Sequence, residues 1–153
     1  MQNFVTQFGH TIRTQNAFNV PAGDAKMSFV DARDIAAIAV RMLTNNSNGE
    51  SQQYENKGYD ISGQEALSYR QVADILSNEV GKKISYIEIT EDDARKGMEQ
   101  MGIGGWYIDI MIELFRIIRA GYGSEMTAVV EHITGRKPIS FAQFAKDYAE
   151  VFI

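Results

Sequence analysis

Apolar residues recur along this chain at two spacings, and the switches between them mark its elements. Phe4, Phe8 and Ile12 stand four apart, so residues 2–14 are predicted as one amphipathic helix. Ala17 to Val20 reads as a brief strand. Pro21-Ala22-Gly23-Asp24 is turn chemistry, because Pro presets φ and Gly tolerates positive φ. Met27 to Val30 is a second short strand. Asp31 then offers a side-chain oxygen to the free N–H groups of the following turn, and Asp34 adds negative charge near the positive helix end. That helix runs through Leu43 with Ile35, Ile38, Ala39 and Met42 on one face.

Residues 45–53 are polar and predicted as a loop. Tyr59 and Ile61 alternate, which predicts a strand over residues 54–61 ended by Ser62-Gly63. Ser68-Tyr69-Arg70-Gln71 spells a capping box, in which the Ser hydroxyl and the Gln side chain each satisfy the other's backbone N–H. The helix it opens turns Val72, Ile75, Leu76 and Val80 inward and stops at Gly81. Lys83 to Ile89 alternates as a strand. Thr90-Glu91-Asp92-Asp93 starts another helix that ends near Gly102. Trp106 to Ala120 is a dense apolar helix broken by Gly121 and Gly123. Residues 125–134 are predicted helical up to Gly135, and Ser140 caps a last helix with Phe141, Phe144, Ala145 and Tyr148 inward.

Length and composition narrow the class. With 153 residues, 44% hydrophobic and 23% charged, residues 1–153 read as a single domain with one core. A net charge of −5 gives no electrostatic support for nucleic-acid binding. The chain has no cysteine, which excludes disulfides, thiolate zinc sites and a cysteine nucleophile. No apolar run reaches the roughly 18 residues that a membrane span needs, and the first residues show no signal pattern, so a cytoplasmic protein is expected. Asn45-Asn46-Ser47 matches a glycosylation sequon that reads there as a polar loop. Short strands between helices imply α/β or α+β, and about four strands are too few for a complete doubly wound sheet.

Several stretches carry a family likeness: Met1-Gln2-Asn3-Phe4, the block from Pro21 to Ala36, Tyr59-Asp60-Ile61-Ser62-Gly63 through Leu67-Ser68-Tyr69, Thr134-Gly135-Arg136-Lys137-Pro138, and Ser140-Phe141. In this order they resemble the later half of the NmrA-like proteins, atypical members of the short-chain dehydrogenase/reductase superfamily that bind NAD(P). The fold class implied is α/β, as an α+β-like fragment: the C-terminal substrate lobe plus late strands of a Rossmann-type fold, with the nucleotide-binding N-terminal half absent. Residues 59–61 would be a late strand of the main sheet. Residues 27–30 and 83–89 would belong to the smaller lobe. The cluster Gly102-Ile103-Gly104-Gly105 follows a helix and lacks the apolar strand that a dinucleotide fingerprint requires, so it reads as a helix–helix joint. No tyrosine has a lysine four residues on.

The resemblance also assigns candidate residues. Met1 to Phe4 matches the stretch that passes beside the nicotinamide and the substrate, so Gln2 and Asn3 are expected to contact cofactor and Phe4 to wall the substrate. Trp106 and Tyr107 begin the helix that in the family covers the substrate cleft, and both a substrate wall and a place in the core remain open for them. No catalytic residue is assigned. His10 and His132 lie too far apart for a metal site, and none is expected. Asp31, Arg33 and Asp34 read as a cap with an ion pair. Two functions follow. One is the substrate-lobe part of an NAD(P)-dependent reductase or redox sensor, not competent alone for hydride transfer, with NAD(P) the parent family's cofactor and not expected to bind this chain alone. The other is a stand-alone module that self-associates. A second copy or a separate N-terminal half is the expected partner, a small-molecule substrate is possible, and nucleic acid and membrane are not expected.

Overall fold

A computed structural model describes residues 1–44 and 54–153. The polar loop and the sequon at residues 45–47 lie outside the described residues. The helices are α1 (Asn3–Thr6), α2 (Gly9–Gln15), α3 (Ala32–Thr44), α4 (Tyr69–Val80), α5 (Glu91–Gln100), α6 (Gly105–Arg119), α7 (Val129–Thr134), α8 (Phe141–Asp147) and α9 (Ala149–Phe152). The strands are β1 (Ala17–Val20), β2 (Lys26–Ser28), β3 (Ala66–Ser68) and β4 (Ser85–Glu88). β1 pairs in parallel with β4, Phe18 opposite Tyr86, and β2 pairs antiparallel with β3, Met27 opposite Leu67.

The single helix predicted over residues 2–14 is two, with a break at Gln7-Phe8. The break suits the core: Phe4 and Phe8 both reach Phe18, with ring centroids 5.6 and 5.7 Å away. Phe4 also meets Phe29, Tyr69 and Phe141 at 5.4, 6.1 and 5.2 Å. Such aromatic pairs each add about 0.5–1.5 kcal/mol beyond the area they bury. Phe18 and Val20 of β1 and Tyr86 of β4 face this cluster, while Ile87 points outward, as the alternation requires.

The capping box forms as predicted. Gln71 N–H donates to Ser68 Oγ at 3.3 Å and Ser68 N–H to Gln71 Oε1 at 2.9 Å. Asp31 caps α3, accepting from Arg33 N–H at 2.8 Å. Asp34, fully buried, pairs with Arg136 at 2.6 Å and accepts from Ile139 N–H at 2.8 Å, tying α3 to the chain after α7.

Other expectations are corrected. Residues 54–61 form no strand: a turn at Tyr54 leads into irregular chain. Tyr54, Tyr59 and Ile61 instead pack against Ile38, Val130 and Ile133, so their apolar alternation reports a satellite core and not a ladder. The strand that is present, β3, is one the sequence pattern did not announce. Residues 125–128 are not helical, because Ser28 binds this chain: its N–H donates to Gly123 O at 2.8 Å and its hydroxyl to Glu125 O at 2.9 Å. The last helix is divided at Tyr148. The fold class of a substrate lobe carrying late Rossmann strands is therefore not observed. Residues 59–61 contribute nothing to a sheet, and residues 27–30 and 83–89 supply strands to two different sheets rather than to one lobe.

Candidate functional site

A cavity of about 690 Å³ opens beside α1. Its floor is apolar because it is cut into the aromatic core: Phe4, Phe29 and Tyr69 line it from one side and Met111, Leu114 and Ile118 of α6 from the other. Polar groups reach it from Gln2, Asn3, Gln7, Ser62 and Thr127, and acidic ones from Asp60 and Glu125. Among the described residues, no lysine, arginine or histidine lines it.

Gln2, Asn3 and Phe4 all line this cavity, in different roles. Gln2 holds α3 in place: its Nε2 donates to Asp31 Oδ1 at 2.9 Å and its Oε1 accepts from Ala32 N–H at 2.8 Å. Both ends of that amide are engaged. Asn3 is exposed, and its amide makes no hydrogen bond among the described residues, which leaves donor and acceptor available to a ligand. Phe4 is 2% exposed and belongs to the core, with the cavity running along it. Tyr107 lines a separate, smaller cavity. Trp106 lines neither of these two cavities and is 77% exposed, so it is not part of the core.

Tyr69 escaped the sequence reading as a site residue. It is 6% exposed, borders the cavity, and its hydroxyl has no hydrogen-bond partner among the described residues. Burial, with a smaller contribution from Tyr86, pushes its pKa well above the ordinary phenol range. The available signal was its position directly after the Ser68 cap, where a strand end and a helix start converge. Ser62 is a second omission: its hydroxyl accepts from Thr127 N–H at 2.7 Å, while Thr127 Oγ1 donates to Asp60 O at 2.6 Å, and together they close one rim.

The Asp31–Arg33 pair is structural. Arg33 reaches Asp31 at 2.9 Å and Asp147 at 2.6 Å. Burial opposes the charge on Asp31, but hydrogen bonds from the Arg33 side chain and backbone and from Gln2 outweigh it and hold the carboxyl below its usual range. His10 and His132 are both exposed, and no cluster of three metal-ligating side chains occurs among the described residues. No helix among the described residues is long and apolar enough to cross a membrane.

NAD(P) fits this cavity only in part. Asn3 offers an amide that could meet a carboxamide or carbonyl. A diphosphate would need the backbone N–H groups of a helix start after a strand, or cationic side chains. Among the described residues the cavity has no cationic side chain, and the glycine-flanked start of α6 follows α5 with no strand between them. The described residues do not fit the diphosphate, and no chemical step is assigned through it.

Comparison with known proteins sets this geometry in context. An NAD(P)H azoreductase of Xenophilus azovorans is 37% identical over 152 residues, covering 99% of this chain and 51% of that protein. Agroclavine dehydrogenase of Claviceps fusiformis is 30% identical over 156 residues, covering 52% of its length. The chain thus spans about half the length of the curated relatives it matches. Among solved structures, an NADPH-dependent quinone oxidoreductase of Escherichia coli superposes with a TM-score of 0.79 at 20% identity, covering 95% of this chain and 50% of that one. A Citrobacter triphenylmethane reductase superposes at 0.77 and 19%. These two show a shared fold. The model of the NmrA-like family matches from the first residue through 139. That match overturns the expectation of a C-terminal lobe lying outside a missing nucleotide-binding half, since the family's own domain runs over residues 1–139. The chain belongs to the NmrA-like family.

Proposed function

We propose that this chain is part of a cytoplasmic NAD(P)H-dependent reductase and that the cavity beside α1 receives its neutral, apolar electron acceptor. The observation that carries the reading is a cavity walled largely by aromatic and aliphatic side chains, Tyr69 among them, with the uncommitted amide of Asn3 on its lining. Apolar walls with a few directional polar groups are what a small-molecule site needs. Asn3 orients a carbonyl or azo nitrogen, Tyr69 donates a hydrogen bond, and the α6 side chains exclude water. NAD(P)H supplies the hydride when bound. Without a diphosphate cradle among its described residues, the chain alone does not turn over NAD(P)H. The reductases among the relatives support the class of reaction.

The test is isothermal titration of the purified chain with a neutral naphthoquinone, with NADPH in a parallel run. Saturable quinone binding that weakens about tenfold in Asn3→Ala and in Tyr69→Phe supports the proposal. Quinone binding that both variants leave unchanged, or none in the wild type, overturns it. NADPH oxidation by the chain alone would overturn the claim about turnover.

Self-association is the second reading, and it draws on α6. Trp106, Ile110, Leu114 and Ile117 are between 40% and 77% exposed on that one helix. An apolar stripe of this kind favours burial against another surface. Light scattering on a sizing column decides: a dimer at micromolar concentration supports it, and a monodisperse monomer at high concentration removes it.

A further inference from the structure

A second cavity, of about 380 Å³, lies between α5 and α6 and the ends of β1 and β4. Gln7, Phe8, Met111 and Phe115 line both cavities, so the two share a wall. Three features of the smaller one point to a ligand. Three methionines, Met98, Met101 and Met111, border it together with Phe8 and Tyr107, and thioethers beside aromatic rings form an adaptable surface that packs well on another ring. Among the described residues its one charged lining residue is the exposed Asp93, whose carboxylate accepts from the Thr90 hydroxyl at 2.7 Å. Gly97 lines it from the middle of α5, and a Cβ placed there meets nothing within 4 Å. A glycine inside a helix costs about 1 kcal/mol relative to alanine. No close approach or positive φ demands it at this position. What the missing side chain does leave is open space along the helix backbone.

We infer that this cavity binds a flat, apolar aromatic molecule that carries no negative charge. The methionine thioethers and Tyr107 grip the ring faces, the bare backbone at Gly97 admits the ring edge, and Asp93 repels anions. The site is independent of the reductase reading, since it uses neither Asn3 nor Tyr69.

The test uses a matched pair of fluorescent probes, neutral N-phenyl-1-naphthylamine and its anionic relative 1-anilinonaphthalene-8-sulfonate. With the larger cavity filled by saturating naphthoquinone, the neutral probe is expected to bind with one-to-one stoichiometry. It should shift the methyl resonances of Met98 and Met101 while leaving those of Met42 and Met126 in place. The sulfonate is expected to bind about threefold more weakly, because the exposed Asp93 carboxylate repels it through partly screening solvent. Asp93→Asn should narrow that gap. Gly97→Leu should weaken the neutral probe at least about tenfold with the circular dichroism spectrum unchanged, since the added side chain occupies the cavity. Equal affinity for the two probes, methyl shifts confined to Met42 or Met126, or unaltered binding in a folded Gly97→Leu protein would each overturn the inference. The methyl map and Asp93→Asn decide it if Gly97→Leu does not fold, and the quinone titration with Asn3→Ala reports separately on the larger cavity.

Discussion

Gly63 lies so close under Phe29 that a Cβ at position 63 would stand 2.0 Å from the Phe29 carbonyl oxygen. The chain before β3 thereby presses against the end of β2, which brings Ser62 and Phe29 to one rim of the larger cavity. A side chain there must displace backbone on one side or the other. Gly63→Ala is expected to destabilise the fold by about 3 kcal/mol, read from urea unfolding. Quinone binding should fall with it, because the rim moves.

Gln2 and Asn3 are neighbours with opposite expected phenotypes. Gln2→Ala removes a donor from Asp31 and an acceptor from Ala32 N–H, and about 1–2 kcal/mol of stability should go with them. Asn3→Ala breaks no hydrogen bond among the described residues and should change stability by less than about 0.5 kcal/mol. Thermal denaturation of the two variants side by side checks this contrast.

Arg136 neutralises a carboxylate that has no exposure of its own. Arg136→Met leaves Asp34 buried and unpaired and is expected to cost about 3 kcal/mol, whereas Asp34→Asn with Arg136→Met should recover part of the loss. Equilibrium unfolding of the single and double variants measures the coupling.

Acid should unfold the protein through two depressed carboxyls. Hydrogen bonds from Arg116 and Arg119 bring Glu91 down to about 2, and Asp31 lies below its usual range for the reasons given above. A carboxyl lower in the folded state than in the unfolded one contributes stability that is present above the unfolded values, 4.5 for Glu91 and 3.8 for Asp31. That contribution is lost as pH falls through the folded values. Arg33→Gln removes the charge that holds Asp31 down, so the acid midpoint followed by circular dichroism should move to higher pH. Salt at 0.5 M should weaken the exposed Glu91 pairs, which are screened, more than the buried Asp31 cluster.

Local chemistry was legible wherever the partners are near in sequence. The Ser68–Gln71 box, the Asp31 cap and the Gly81 stop were all readable, because a side chain or glycine within a few residues decides them. Part of the site was readable too: the likeness at Met1 to Phe4 led to the cavity. It could not say that Gln2 would turn away to bind Asp31, 29 residues on, and leave Asn3 as the free amide.

By itself, then, the sequence determined the capped starts of α3, α4, α5 and α8, the stop of α4 at Gly81, the lack of thiol chemistry and the family kinship. Those follow from short-range hydrogen bonding, periodicity and composition. Tertiary structure alone decided which strands pair, that Tyr59 and Ile61 enter a satellite core instead of a ladder, that Trp106 stands in solvent, and that Tyr69 borders a cavity. Each of these depends on which distant surface an apolar side chain meets. Periodicity shows that a side chain must be buried and is silent about what buries it.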